Sequence, residues 1–213
     1  MYVIIFSKWF VWILLLSLLS CNNTQTNATL INDNRVIESL YLKDIEIREL
    51  DAITDTVNLE RYDKVHREQI FQLLANNDVK TPLDKIRSAW ILQHTAGKIC
   101  DGEVASISPE NYLLAYKLSS SALMELRERN DTMQIRKESI PRIVALNYDR
   151  YLLFSYGYQK YGTQFVFDDT TEEMLLAPID TSLCNDTERK YYQVEPLDSL
   201  LMKYKMKAFE KAK

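Results

Sequence analysis

The sequence predicts a mostly α-helical protein, with a single compact multi-helix domain over residues 35–213 and one small β-hairpin near residues 163–178. Only four glycines and five prolines occur among the 213 residues, and no segment repeats at a fixed period. This composition argues against β-sandwich, collagen-like and solenoid architectures. Apolar residues instead recur at helical intervals along most of the chain. About 180 residues are enough for one hydrophobic core and few for two.

The N-terminal residues predict a lipid anchor in front of this domain. Residues 1–20 carry one charge, Lys8, and an apolar block at residues 9–19. This block is shorter than the ~20 residues that span a bilayer and is typical of a signal peptide. The sequence Leu-Leu-Ser-Cys at residues 18–21 resembles the bacterial lipoprotein box. That resemblance implies cleavage before Cys21 and acyl chains on it, and two or more chains anchor a protein durably. The alternative is an uncleaved signal anchor.

The predicted anchor also implies a location and partners. Residues 21–34 begin with the lipidated cysteine and are polar, so we expect a disordered tether. The anchor places the protein at the membrane of a bacterial cell envelope. The lack of an acidic run after Cys21 favours the periplasmic side over the cell surface. Removal of Lys8 with the signal peptide changes 26 basic and 30 acidic residues to 25 and 30. The resulting net charge of −5 argues against a nucleic-acid partner.

Cysteine and histidine usage limits the possible cross-links and metal sites. With Cys21 lipidated, Cys100 and Cys184 remain. They form either a disulfide, which the compartment permits, or two free thiols. The chain has no Cys-x-x-Cys or His-x-x-x-His motif and only two histidines. The sequence therefore predicts no metal site and no cofactor.

The first three helices each have a start signal. A cap at residue 33 or 34 begins the first, and apolar spacing predicts a second over about residues 59–74. Thr81 followed by Pro82 is an N-cap with a first-turn proline, and it begins a third helix that extends to about residue 95. In this third helix Ile86, Ala89 and Gln93 share one face with Trp90.

The second half of the domain continues the helical pattern and adds the hairpin. Pro109 opens a fourth helix. A long helix is predicted over residues 133–158, with a kink or restart at Pro141. Residues 164–167 and 174–177, separated by acidic turn residues, predict the hairpin. Two closing helices begin at about residues 186 and 196.

His94 is the first candidate for chemistry. It lies four residues after Trp90 on the third helix, so imidazole and indole share a face. Burial beside Trp90 lowers the pKa of His94 and leaves it neutral, able to accept or carry a proton. The alternative is a structural histidine that binds a neighbouring carbonyl. His66 lies among charged residues and is expected to be exposed.

A second group of polar residues follows on the long helix and its C-terminal end. Asp149 and Arg150 are about 100° apart around a helix, so each needs its own partner. Arg150 suits a carboxylate or phosphate, from a ligand or from an acid such as Asp44 or Asp63. Gly162 permits a sharp turn with a positive φ. The residues after it form either a helix-to-hairpin corner with satisfied polar groups or the polar lip of a cleft.

These segments together resemble an uncharacterised bacterial family, domain of unknown function 6624. The resemblance lies in Ala-Trp-Ile-Leu-Gln-His at residues 89–94, Tyr-Asp-Arg at 148–150, Gln-Lys-Tyr-Gly-Thr-Gln at 159–164, Pro-Ile at 178–179 and Glu-Arg at 188–189. It covers nearly all of the domain. It implies that these segments form one site, and it implies no particular activity.

The sequence leaves three classes of function open. The first is a lipid-anchored binding module with a polar pocket for a small polar or anionic ligand. Its predicted ligand-binding residues are Gln93, His94, Arg150, Gln159, Tyr161, Thr163 and Gln164. The second is a structural or interaction lipoprotein, in which the same polar groups hold the helices to the hairpin. The third is a hydrolase-like enzyme in which His94 acts as general acid or base beside Asp149.

Overall fold

Helices dominate the chain and confirm the predicted mostly α fold. The computed structural model describes residues 31–50, 56–94, 99–100, 103–104 and 109–207, without the side chains of residues 50, 56–58, 99–100 and 103–104. All of these residues belong to one compact unit, Ile31–Lys213. The predicted signal peptide, Cys21 and most of the predicted tether lie outside the described residues. None of the described helices is both long enough and apolar enough to cross a bilayer.

Eight helices and two short antiparallel strand pairs make up the described structure. The helices are α1 Arg35–Leu50, α2 Thr56–Ala75, α3 Pro82–Leu92, α4 Pro109–Glu128, α5 Thr132–Lys137, α6 Ile140–Tyr156, α7 Asp186–Tyr191 and α8 Leu197–Lys203. Strands β3 (Phe165–Asp168) and β4 (Glu173–Leu176) form the predicted hairpin, with Phe165 opposite Leu176. The other pair, β1 (Ile99–Cys100) with β2 (Glu103–Val104), is too short to leave an alternating pattern in the sequence.

Helix α4 packs against both α3 and α6, and α1 and α2 pack against α3. Two apolar clusters result, one shared by α1 to α4 and the other by α3 to α6. The first contains Ile37, Leu40, Ile70, Val79, Ala89, Ile91, Leu92 and Ala115. The second contains Ile86, Ala122, Leu123, Leu126, Ile135, Ile140 and Val144. Helix α3 is therefore enclosed by neighbours, and its C-terminal end lies where α1, α2 and α6 come together.

The start of α3 shows why this helix forms where the sequence predicts it. The Thr81 hydroxyl accepts a hydrogen bond from Asp84 N at 3.1 Å, and Asp84 Oδ2 accepts one from Thr81 N at 3.1 Å. This capping box satisfies two backbone donors, and Pro82 fits the first turn. Asp84 Oδ1 also accepts from Asn34 N at 2.8 Å, which ties the start of α1 to the start of α3.

The predicted long helix over residues 133–158 is interrupted as expected near Pro141. Ser139 adopts a left-handed conformation with φ of 49° between α5 and α6, and Pro141 lies in the first turn of α6. Helix α6 ends at Gly157, whose φ of 79° turns the chain toward the hairpin. Residues 157–164, here called the hairpin corner, connect α6 to β3.

Candidate functional site

The hairpin corner is built around the carboxylate of Asp149, which is fully buried. Its Oδ1 accepts hydrogen bonds from Lys160 N at 2.8 Å and Tyr161 N at 2.7 Å. Its Oδ2 accepts from Thr163 N and Thr163 Oγ1, both at 2.9 Å. Burial raises the pKa of Asp149, and these hydrogen bonds oppose that effect. Asp149 therefore holds the corner against α6.

Gln159 fastens the other side of the corner. Its buried side chain donates from Nε2 to Gln164 O at 2.9 Å and to Ala177 O at 2.8 Å, and its Oε1 accepts from Gln164 N at 2.8 Å. The backbone of Gln159 also pairs with Pro178 and Asp180. The predicted site residue Gln159 thus binds backbone groups of the hairpin.

Arg150 connects the corner to the end of α3. Its Nη1 donates to the Gln93 carbonyl at 2.8 Å, and its Nε donates to Gln164 Oε1 at 3.2 Å. The Gln164 Nε2 donates in turn to Thr163 Oγ1 at 2.9 Å. Gln93, Arg150, Thr163 and Gln164, all predicted site residues, are therefore brought together in one chain of hydrogen bonds. The Gln93 side chain is buried, and its Oε1 has no protein partner.

A charged cluster surrounds the other predicted residue, His94. We use this name for Asp44 and Arg48 of α1, Asp63 and His66 of α2, and His94. The His94 Nδ1 lies 3.0 Å from Asp44 Oδ2 and 3.0 Å from Arg48 Nε. The Arg48 Nη2 contacts Asp63 Oδ1 at 2.5 Å. Since the guanidinium contacts both acids, Arg48, rather than Arg150, is the cation that pairs with Asp44 and Asp63.

The environment of His94 fits the prediction of a neutral ring. Trp90 lies edge-on to it, with ring centroids 5.7 Å apart. Burial lowers the pKa of His94, and contact with Asp44 opposes that effect. The acid that contacts the ring is Asp44, whereas the carboxylate of Asp149 accepts its hydrogen bonds from the hairpin corner. The His94 carbonyl accepts from Arg67 Nη1 at 2.7 Å, which satisfies one carbonyl just beyond α3.

The two acids of the charged cluster differ in their pKa. Burial raises the pKa of Asp63 to about 6, although Arg48 opposes the rise and Asp44 adds to it. Burial acts on Asp44 in the same direction, but the contacts with His66, His94 and Arg48 outweigh it. The pKa of Asp44 therefore lies well below its usual range. Perturbed acids of this kind are common at functional sites.

His66 contradicts the expectation of an exposed side chain. It is 4% exposed, and its Nδ1 has no hydrogen-bond partner among the described residues. This nitrogen lies 4.0 Å from Asp44 Oδ1. Of the charged residues beside it in sequence, Lys64 and Glu68 are exposed, whereas Arg67 is buried as well. A sequence signal for the burial of His66 is its position four residues before the apolar Ile70 on one helical face.

A cavity of about 110 Å³ lies beside the hairpin corner. Its lining residues are Arg142, Tyr161, Gly162, Thr163, Phe165, Arg189, Val194, Glu195, Leu200 and Tyr204. Two of these, Tyr161 and Thr163, are predicted site residues. The Tyr161 hydroxyl donates to Glu188 Oε1 at 2.8 Å, and burial together with this bond raises the pKa of Tyr161.

The thiol of Cys184 is free and partly buried near this corner. Burial raises its pKa. Of the two predicted alternatives, the free thiol of Cys184 fits two free thiols, and the side chain of Cys100 lies outside the described residues.

Comparisons of the chain with protein-family models, with curated proteins and with solved structures found no match.

Proposed function

We propose that this chain is a lipid-anchored cell-envelope protein that binds a small anionic ligand in the cavity beside the hairpin corner. The resemblance of residues 18–21 to the lipoprotein box supports the anchor at Cys21. The lack of an acidic run after Cys21 favours the periplasmic side of the membrane. The resemblance to domain of unknown function 6624 is part of the proposal and assigns no activity.

One observation carries the binding site: the unpaired nitrogen of a buried arginine. Arg189 is 2% exposed, and its Nε donates to Glu195 O at 2.6 Å and lies 3.8 Å from Asp186 Oδ1. Its Nη2 is buried and has no partner among the described residues. A buried charged donor without an acceptor costs about 1–3 kcal/mol or more. A bound anion would supply the acceptor through a charge-assisted hydrogen bond.

Gly162 allows two apolar side chains to pack closely on the corner beside this guanidinium. A Cβ at this position would overlap Leu200 Cδ2 and lie 2.9 Å from Ile179 Cδ1, and it would lie 3.7 Å from Arg189 Nη2. This close packing accounts for the glycine in the corner, together with its φ of 75°.

The size and charge of the cavity define the ligand class. A volume of about 110 Å³ holds roughly three or four waters at ~30 Å³ each. It therefore accepts one carboxylate or phosphate group and no large molecule. Arg142 adds a second positive charge to the lining, while the carboxylate of Glu195 already binds Ser199 and Lys203. We expect the anionic end of a ligand to enter and the rest to stay outside.

Anion-dependent stability of the full chain in detergent tests this site. At constant ionic strength, phosphate or acetate in place of chloride should raise the melting temperature, because the anion binds only the folded state. Arg142→Gln should weaken this effect, and since Arg142 is exposed the substitution should leave the fold intact. Arg129→Gln, an exposed arginine that does not line the cavity, is the matched control. Equal anion effects in all three proteins, or none in the wild type, would reject the site.

Arg189→Met tests the same site by removing the buried guanidinium that would bind the anion. Removal of the guanidinium, and with it the unpartnered Nη2, should abolish the anion effect and leave the anion-free protein at least as stable, because binding residues are commonly not optimised for stability. A large loss of stability would instead assign Arg189 a purely structural role.

The lipid anchor has its own test. Cells supplied with radioactive palmitate should label the wild-type chain and not the Cys21→Ala variant. Equal labelling of the two, or labelling of neither, would exclude lipidation at this position.

A second candidate function, a hydrolase-like enzyme, is favoured by the contact of Asp44 with His94. The His94 Nδ1 lies within hydrogen-bond distance of both Asp44 and Arg48. In the tautomer with the proton on Nδ1, this N–H donates a hydrogen bond to Asp44, and the Nε2 is free to act as a general base. A panel of chromogenic ester, amide and phosphate substrates tests this candidate. Turnover by the wild type that is lost in His94→Gln would support it, and no turnover of any substrate would count against it.

A further inference from the structure

The charged cluster brings together three atoms that can bind a metal ion, from α1, from α2 and from the residue two positions beyond α3. One carboxylate oxygen each from Asp44 and Asp63 and one ring nitrogen of His94 all lie within 4.8 Å of one another. Ligands bind Zn²⁺ at about 2.0–2.2 Å, so tetrahedral neighbours lie about 3.3 Å apart. The His94 Nδ1 and Asp44 Oδ2 are already separated by 3.0 Å. Small side-chain movements would bring the set to a common centre.

His66 provides an independent indication of a ligand. Its side chain is 5% exposed, and its Nδ1 is buried without a partner and faces Asp44 Oδ1 at 4.0 Å. A hydrogen bond is too short-ranged to span that distance. A cation between the imidazole and the carboxylate would satisfy both. His66 lies outside the group of three atoms within 4.8 Å, so its ring would move toward Asp44 to act as a fourth ligand.

Arg48 shows that the cluster is arranged to hold a cation. Its Nε contacts His94 Nδ1 at 3.0 Å and Asp44 Oδ2 at 3.2 Å, and its Nη2 contacts Asp63 Oδ1 at 2.5 Å. In this arrangement the His94 Nδ1 accepts from Arg48, so its lone pair and the two carboxylates all face one guanidinium. The Arg48 side chain is 26% exposed, which gives its guanidinium a route to solvent.

From these contacts we infer that Asp44, Asp63, His66 and His94 bind a divalent transition-metal ion of the Zn²⁺ type, in exchange for the guanidinium of Arg48. Two imidazoles and two carboxylates suit Zn²⁺ or Co²⁺ better than Mg²⁺ or Ca²⁺, which prefer oxygen ligands. The two carboxylates would balance the charge of the ion. The inference is independent of the anion site at Arg189, and it assigns the His94 Nδ1 to the metal.

Metal titration of the full chain in detergent, after treatment with a chelator, tests the inference. Calorimetry should show one Zn²⁺ per chain, and Co²⁺ should produce the visible absorption bands of a four-coordinate nitrogen and oxygen site. Asp63→Asn and His66→Phe should each lower the affinity at least about tenfold, since even changes around metal ligands have effects of that size. Arg48→Met should raise the affinity, because it removes the competing cation.

The controls separate this site from weak surface binding and from misfolding. Asp169→Asn, which changes an exposed acid in the turn between β3 and β4, should leave the affinity unchanged. Melting in metal-free buffer checks that each variant folds. Absence of one-to-one binding in the wild type would overturn the inference. Equal affinity for Zn²⁺ in the wild type, Asp63→Asn and Arg48→Met would also overturn the inference. Arg48→Met is informative because it removes the competing cation and keeps all of the proposed ligands.

Discussion

The hairpin corner and the charged cluster are both buried and polar, and an aspartate lies at the centre of each, but their polar atoms are satisfied in different ways. Asp149 receives three of its four hydrogen bonds from backbone N–H groups of one short loop. The partners of Asp44 among the described residues are side chains, from α1, from α2 and from His94 just beyond α3. One region is fixed by backbone, and the other is assembled from side chains.

This difference indicates what each region can do. Backbone N–H donors are fixed by the conformation of the loop, so the corner has one arrangement. Both carboxylate oxygens of Asp149 accept two hydrogen bonds each. Side chains of a cluster can exchange partners, and the cluster also contains a buried imidazole nitrogen without any. We therefore assign the corner to stability and to the wall of the anion cavity, and we assign the capacity for chemistry to the cluster.

The sharpest test of the comparison is Asp149→Ala. It leaves three backbone N–H groups and one hydroxyl of the corner without an acceptor in a site of 0% exposure. We expect the free energy of unfolding to fall by about 3–5 kcal/mol, as for other broken buried charged networks. Urea denaturation measures it. Thr163→Val, which removes the hydroxyl's bond to Asp149 and its bond from Gln164 Nε2 but keeps the backbone bonds, should cost about 1–2 kcal/mol. A loss below 1 kcal/mol for Asp149→Ala would contradict the structural role of the corner.

Gly162→Ala should have the next largest effect. The residue has φ of 75°, and a Cβ would overlap Leu200 and lie 2.9 Å from Ile179 Cδ1. Left-handed strain and overpacking together should cost about 2–4 kcal/mol in the free energy of unfolding. Gly157→Ala is the natural control, since this glycine also has a positive φ, of 79°, and tests the strain without the cavity. Equal losses for the two variants would show that the close packing of Leu200 and Ile179 on Gly162 adds nothing to the backbone strain.

Signals within one turn of helix predicted much of this molecule. Thr81, Pro82 and the apolar spacing predicted α3, Pro141 predicted the restart at α6, and Gly162 predicted the turn at the corner. Each signal depends on contacts between residues that are close in sequence, which a single chain reveals. The same reasoning predicted the lowered pKa of His94, because Trp90 lies one turn away.

The membership of the charged cluster could not be predicted in the same way. Asp44 and Asp63 lie on different helices and His94 lies just beyond a third, and their meeting depends on how α1 and α2 are rotated against α3. The sequence predicts a ligand anion or an acid such as Asp44 or Asp63 as the partner of Arg150. In the structure Arg48 pairs with both acids, and Arg150 donates to the Gln93 carbonyl. The charged residues next to His66 in sequence predict an exposed side chain, although His66 lies on the buried face of α2. Periodicity indicates which face of a helix is buried, but it does not indicate which residues pack against that face.

Asp63→Asn tests the electrostatics of the charged cluster, in metal-free buffer. The folded-state pKa of Asp63, about 6, lies above the ordinary value of about 3.9. Its contribution to stability is therefore fully present below about pH 4 and is lost as pH rises through about 6. The variant lacks this loss and should exceed the wild type by about 1–3 kcal/mol in free energy of unfolding at pH 7, with no excess below about pH 4.

Asp44 provides the opposite pH dependence in the same experiment. Its pKa is lowered, so its contribution is present above about pH 4 and is lost as pH falls further. The wild type and Asp63→Asn should both lose this stability as the pH falls below about 4. The control Asp169→Asn should have the same free energy of unfolding as the wild type at every pH. A pH-independent difference between Asp63→Asn and the wild type would show that burial does not raise the pKa of Asp63.

The smallest effect is expected for His94→Gln, and it separates function from structure in the cluster. Asp44 keeps Arg48 as a partner in this variant, and the carbonyl of residue 94 still accepts from Arg67. Since no buried charge is left unpaired, the free energy of unfolding should change by no more than about 1 kcal/mol. The affinity for Zn²⁺ should nevertheless fall, because the glutamine lacks the ring nitrogen. If His94→Gln instead destabilises the protein as strongly as Asp149→Ala, the two regions have the same structural role and the distinction between them fails.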